Sequence, residues 1–217
     1  MGRKKHSFVI LGLGSFGSVV ASTLAQYDNH VLGIDISERR VAQLAHSLSN
    51  VAILDATDEY ALREAGVQNY ETALVSLGGN LEAGILSVMN LKMIGVGNIW
   101  VKADSRTHHR IMSKMGVDRV LLPDVEMGQH TAQMMNNPAV QDYVALGNGY
   151  NVVNMRVPER LNEHPLAHLR LDVSLRSLGL MRGTEFVPTT PETIMKTGDR
   201  LLILGRKPEL LAFGESF

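Results

Sequence analysis

The chemistry open to this chain starts at Gly12-Leu13-Gly14-Ser15-Phe16-Gly17. This GxGxxG spacing follows an apolar run, Phe8-Val9-Ile10-Leu11, and precedes Val19, Val20, Leu24 and Ala25 at helical spacing. A strand that turns into a helix over three glycines is a place for phosphate. Gly12 permits the tight turn, Gly14 lets a pyrophosphate approach the backbone, and Gly17 lets the helix pack close to the strand. The helix start then offers unpaired N–H groups and a partial positive charge to the anion. Asp35 closes a second apolar run, His30-Val31-Leu32-Gly33-Ile34, where a carboxylate can accept hydrogen bonds from ribose hydroxyls.

Further candidates follow the later apolar runs, because an open parallel sheet binds ligands at the carboxyl ends of its strands. Asp55-Ala56-Thr57 reads as a wall for the base edge or, through Asp55 or Thr57, as a helix cap. Leu77-Gly78-Gly79 permits close ligand approach or is a plain turn. Lys102 and Asp104 end the fifth run, and His108 lies one turn later. Lys102 and His108 read as phosphate contacts or as solvated surface residues.

Other chemistries find no support. The Walker A spacing is absent, Ser15 does not sit in a GxSxG elbow, and there is no cysteine. The eight histidines show no zinc spacing, and His164 and His168, separated by Pro165, read as a surface pair. Met112 and Met115 read as core, while Met127, Met134 and Met135 offer an adaptable contact for another subunit. Lys102, Arg106, Arg110, Lys114 and Arg119 form a basic run broken by Asp104 and Asp118, without aromatic platforms, so a solvated face is expected and nucleic acid is not.

Positioning these residues requires a particular set of elements. Strands are expected at 8–11, 30–35, 51–54, 73–77, 99–103 and 119–122, with helices between them. Strands apolar on both faces that alternate with helices predict an α/β fold with a Rossmann-like, doubly wound parallel sheet. After a helix from Asp124 to Met135, ending at Asn136-Asn137-Pro138, the pattern changes. Strands near Val152–Val157, Leu178–Met181, Glu185–Val187 and Leu201–Leu204, with a helical patch at Leu166–Leu169, predict a second, smaller α/β domain. The boundary is placed near Gln141 to Gly149, where Gly147-Asn148-Gly149 supplies flexible backbone, giving domains 1–140 and 141–217. The 217 residues are 45% hydrophobic and 20% charged, enough for a sizeable core, and the net charge of -1 predicts no bulk attraction to nucleic acid or anionic lipid. The basic start, Met1-Gly2-Arg3-Lys4-Lys5-His6, could mimic a signal peptide, but the apolar run is broken at once by Gly12 and Gly14 and has no small-residue cleavage pattern, so none is expected. A cytoplasmic location is expected.

The order of these pieces resembles the regulators of potassium conductance (RCK) of the Trk/Ktr type, over nearly the whole chain. The marks are VILGLGSFG (9–17), GIDISERR (33–40), DATDEYALREAGV (55–67), NIWVKA (98–103) and GVDRVLLPDVEMG (116–128). LRSLGLMRG (175–183) and VPTTPETIMKTGDRLLILG (187–205) resemble the family's small C-terminal module. The resemblance implies cytoplasmic subunits that form dimers and a ring, commonly an octamer, docked on a membrane potassium channel or transporter and gating it by bound nucleotide. It implies ATP or ADP, with NAD or NADH open, and cyclic di-AMP as a ligand of the C-terminal module in some members. Carried over, the pocket would comprise Gly12, Gly14, Ser15, Phe16 and Gly17, then Asp35, Ile36 and Ser37 at the ribose, and Asp55 and Ala56 at the adenine. Leu77, Gly78, Gly79, Lys102, Ala103, Asp104 and His108 would complete the walls. Asp124 would lie near the terminal phosphates, through magnesium or another cation. Ser15 stands where arginine is common and Asp124 where glutamate is common, which bears on tri- against diphosphate discrimination.

The same glycines and Asp35 would suit a small NAD-dependent oxidoreductase, but the later chain shows no acid/base constellation. A nucleotide-responsive repressor lacks a helix-turn-helix segment. The expectation is therefore a non-enzymatic regulator.

Overall fold

Near-continuous apolar runs form strands covered on both faces, and the computed structural model shows this in its first sheet. The structure describes residues 4–136 and 140–216. The Met1-Gly2-Arg3 start and the Asn137-Pro138 helix stop lie outside the described residues. The chain divides into two compact units, Met1–Val125 and Glu126–Phe217.

In the first unit, strands β1 (Ser7–Leu11), β2 (His30–Asp35), β3 (Asn50–Ile53), β4 (Thr72–Val75), β5 (Asn98–Lys102) and β6 (Arg119–Leu121) alternate with helices α1 (Ser15–Gln26), α2 (Glu38–Leu44), α3 (Glu59–Glu64), α4 (Leu81–Ile94) and α5 (Arg106–Lys114). The strands pair in parallel, in the order β3-β2-β1-β4-β5-β6. One face buries Val9, Leu11, Ile34, Val75 and Val101 with Leu62, Val88 and Leu91. The other buries Ile10, Val31 and Leu74 with Ala21 and Val41. The strand order reverses between β1 and β4, and the crevice that opens at such a switch point faces the strands' carboxyl ends. Several strands end before the sequence predicts: β3 stops at Ile53, β4 at Val75 and β5 at Lys102. The residues that follow leave the sheet to build that crevice.

Side chains cap three of the helices. The N–H groups of Ala61, Ala83 and His108 donate to Asp58, Asn80 and Ser105 at the starts of α3, α4 and α5. The expected cap at Asp55 or Thr57 is thus made by Asp58 instead. Helix α1 begins at Gly14 with no side-chain cap and no acidic residue in its first turn.

Helix α6 (Pro123–Asn136) precedes a five-stranded antiparallel sheet of β7 (Val140–Gly147), β8 (Tyr150–Arg156), β9 (Arg176–Arg182), β10 (Glu185–Val187) and β11 (Arg200–Arg206), in the order β10-β9-β11-β8-β7. Its core holds Val153, Met155, Leu180, Met195, Leu201 and Ile203. One expectation is corrected here. Gln141–Gly149, read as a flexible boundary, is strand β7 and its hairpin turn; Gly147, Asn148 and Gly149 all take positive φ (87°, 52° and 81°), as a tight reversal demands. The expected helical patch at Leu166–Leu169 is present as a 3-10 helix, and a terminal helix α7 (Lys207–Ser216) was not foreseen. Buried Asp199 accepts from Arg182 Nε at 3.0 Å, Arg182 Nη2 at 2.7 Å and the Lys196 N–H at 2.9 Å, tying β9 to the turn before β11.

Candidate functional site

The glycine turn shows what each glycine is for. Gly12 has φ +95°, and a Cβ there would meet the Ser76 carbonyl oxygen at 2.5 Å. A Cβ on Gly17 would stand 1.9 Å from the Gly12 carbonyl oxygen. Those two are demanded by turn and packing. A Cβ on Gly14 would meet nothing within 4 Å, so the space before the α1 amides is open to a ligand. Asp35 fastens this loop: its carboxylate accepts from the Leu13 N–H (2.8 Å) and the Ser37 N–H (2.8 Å), with Arg40 Nη1 at 3.3 Å. Asp35 is 5% exposed. A carboxylate has about four lone-pair sites, so it retains capacity for ribose hydroxyls.

A cleft of about 570 Å³ lies over these groups, within the range of small-ligand sites. Of the residues singled out in the sequence, Gly12, Gly14, Ser15, Phe16, Asp35, Ile36, Asp55, Ala56, Leu77, Gly78 and Lys102 line it. Asp55 Oδ1 accepts from the Thr57 N–H and hydroxyl, both at 2.8 Å, and Ser87 and Asn90 of α4 donate to the Ala56 and Thr57 carbonyls, so this wall is held from behind. Gly17 and Ala103 are buried beneath the cleft, Ser37 holds Asp35, and Gly79 (φ +78°) donates its N–H to Asp104 Oδ2 at 2.8 Å. Thr57 lines it as well, and sequence reasoning missed Ser76 at the end of β4 and Arg40, Asn80, Glu82, Ala83 and Leu86, which α2, α4 and the α4 cap contribute.

At the end of β5, Lys102 Nζ donates to Asp104 Oδ1 at 2.7 Å and lies 3.1 Å from Asp124 Oδ2. Asp104 raises the lysine pKa, burial opposes it, and Asp124 adds to the rise. Burial pushes the Asp104 carboxyl up, yet Lys102 and the Gly79 N–H outweigh it and hold it below its ordinary value. His108 does not line the cleft. It is 6% exposed, packed against Gly84 of α4, and its Nδ1 accepts from the Asp104 N–H at 3.3 Å. Its Nε2 is buried without a hydrogen-bond partner among the described residues. Burial lowers its pKa, Asp104 opposes this and Lys102 adds to it. A folded-state pKa below the ordinary 6.5 means that His108 stabilises the fold fully above 6.5 and less as pH falls through that value. Histidine NMR should show one imidazole titrating below 6.5, and a His108→Gln variant should flatten the loss of stability as pH falls below 6.5.

The rings of His164 and His168 lie in contact, with centroids 4.6 Å apart. Among the described residues no group of three or more histidines, aspartates or glutamates is placed to hold a metal ion. Asp124, assigned to a cation by the resemblance, has its carboxylate against Lys102 instead, so this donor set does not fit a resident cation. No helix among the described residues is long and apolar enough to cross a membrane.

A doubly wound sheet with an uncapped glycine turn, a tethered carboxylate and an open cleft at its switch point defines a nucleotide-binding domain of Rossmann type. The TrkA-N domain family matches residues 8–123. Ktr system potassium uptake protein A of Bacillus subtilis (strain 168) is 31% identical over 217 residues, 98% of each chain. The protein of the same name from Vibrio alginolyticus is 30% identical over 206 residues, 94% of each. The solved GsuK RCK domain superposes with a TM-score of 0.66 at 12% identity, over 99% of this chain and 48% of that one. This last likeness shows the fold, and the chain spans about half of that larger one. The chain belongs to the Ktr family of potassium uptake proteins, and its first unit carries the TrkA-N domain.

Proposed function

We propose that this chain is the cytoplasmic, non-enzymatic subunit through which a membrane potassium channel or transporter senses a nucleotide, ATP or ADP first and NAD or NADH next. The observation that carries the reading is the open space before Gly14, beside the tethered Asp35, in a chain similar end to end to potassium uptake proteins. The phosphates would lie on the α1 amides, the ribose on Asp35 and the adenine between Ile36, Asp55 and Ala56. Self-association into dimers and a ring, an octamer by the family resemblance, would pass the signal on. The antiparallel second unit would carry any further ligand, cyclic di-AMP included.

A ligand shifts a conformational equilibrium only by its different affinity for the two states. A tenfold preference is worth about 1.4 kcal/mol per site, so several sites together can move a ring decisively. Small-angle scattering of the assembled protein at saturating ATP and at saturating ADP should give different curves. Superimposable curves would count against gating by these nucleotides.

A further inference from the structure

The residue that the family resemblance gives to a cation is engaged otherwise, and the arrangement suggests a different task. Lys102 lines the cleft, is 15% exposed in its side chain, and is the one lysine of that lining. Two carboxylates hold it: Asp104 at 2.7 Å and Asp124 at 3.1 Å. They are not equivalent. Asp104 is 32% exposed and also accepts from the Gly79 N–H, while its own N–H donates to His108, so it is fixed from three sides. The Asp124 side chain is 76% exposed at the start of α6, and Lys102 is its one charged partner among the described residues. An anion entering the cleft can take the lysine proton donors from Asp124 at little cost, whereas the Asp104 carboxylate is tied to the Gly79 N–H as well.

We infer that Asp124 is a built-in competitor of the ligand: its carboxylate occupies, on Lys102, the place that a nucleotide phosphate takes on binding. The inference rests on the nucleotide-binding reading above and assigns the Lys102 ammonium as a phosphate anchor. Entry of phosphate exchanges one anion on Lys102 for another and releases the first turn of α6 from the end of β5. Occupancy of the cleft is thereby coupled to the start of the helix that leads out of the first unit. A cation ligand at Asp124 would behave in the opposite way, since losing the carboxylate would then weaken the binding of a metal-chelated nucleotide.

Calorimetry of the full chain with ATP and with ADP, in EDTA and again in magnesium, separates these. Asp124→Asn, at an exposed position, should retain the fold and bind both nucleotides about threefold to fivefold more tightly in EDTA at low salt, the modest range expected for an exposed ion pair. The gain should shrink in high salt. Lys102→Met should bind at least about tenfold more weakly, as expected on loss of a charge-assisted bond. Asp124→Asn should bind more tightly in magnesium as well, and unchanged or weakened affinity in either EDTA or magnesium overturns the competitor assignment. Failure of the unsubstituted protein to bind any adenine nucleotide overturns the nucleotide-binding reading itself.

Discussion

Replacing Gly14 by aspartate should weaken nucleotide binding about a hundredfold and leave the fold intact. Gly14 has φ −69° and ψ −169°, an extended conformation open to any L-residue, and a Cβ there meets nothing within 4 Å. It is also the N-cap of α1, a position where aspartate is among the preferred residues. The thermal midpoint should therefore stay level or rise slightly. The new carboxylate would accept from the very amides that await phosphate and would face the incoming anion as a like charge. At about 4 Å that repulsion runs from roughly 1 kcal/mol in bulk water to roughly 4 kcal/mol near a protein surface. A middle figure near 2.7 kcal/mol corresponds to about a hundredfold loss of affinity. Calorimetry with ATP, ADP and NADH, beside thermal unfolding by circular dichroism, reads both quantities. Gly14→Ser, which caps without charge, should fall between the two. Undiminished affinity in the aspartate variant would place the phosphates elsewhere.

The cradle was legible in the sequence because its requirements are local. A turn at φ +95° and a helix packed within one carbonyl of the preceding strand are backbone demands that glycine alone meets, and their spacing is set by the turn itself. Asp35 was legible because the end of β2 lies beside that turn in every sheet so wound. Arg40 and Glu82 were not, since their presence in the cleft depends on how α2 and α4 are set over the sheet, which is decided by packing at Val41 and at Val88 and Leu91. His108 was misjudged for the same reason. Beside Lys102 in sequence it suggested a phosphate contact, but it shares the inner face of α5 with Met112, one turn on, and is drawn under α4. In the second unit, the residues before Gly147-Asn148-Gly149 show no strict period-two pattern, so strand β7 left little trace in the sequence. The same three residues that looked like a hinge are the reversal that lets β7 pair with β8.

Gly17→Ala is expected to fail in a different manner, by loss of the first unit's fold. The new Cβ would lie 1.9 Å from the Gly12 carbonyl oxygen, a contact that no rotamer relieves because both partners are fixed to backbone. Gly12 has no retreat. Its N–H donates to the Ile34 carbonyl at 2.8 Å, and the Ser76 carbonyl oxygen stands 2.5 Å from where its Cβ would lie. Helix α1 would have to lift from the sheet, drawing Ala21 away from Ile10, Val31 and Leu74. Clashes of this kind belong to the exceptional class above about 4 kcal/mol, set against a total stability of roughly 5–15 kcal/mol for a domain. Urea unfolding followed by circular dichroism should show the midpoint collapse, with nucleotide binding lost in proportion to the unfolded fraction. A midpoint matching the unsubstituted protein would mean that α1 does not pack as described. The contrast with Gly14→Asp is the mechanistic point: two glycines three residues apart in one motif are needed for different reasons, one so that the helix can touch the sheet and the other so that the ligand can touch the helix.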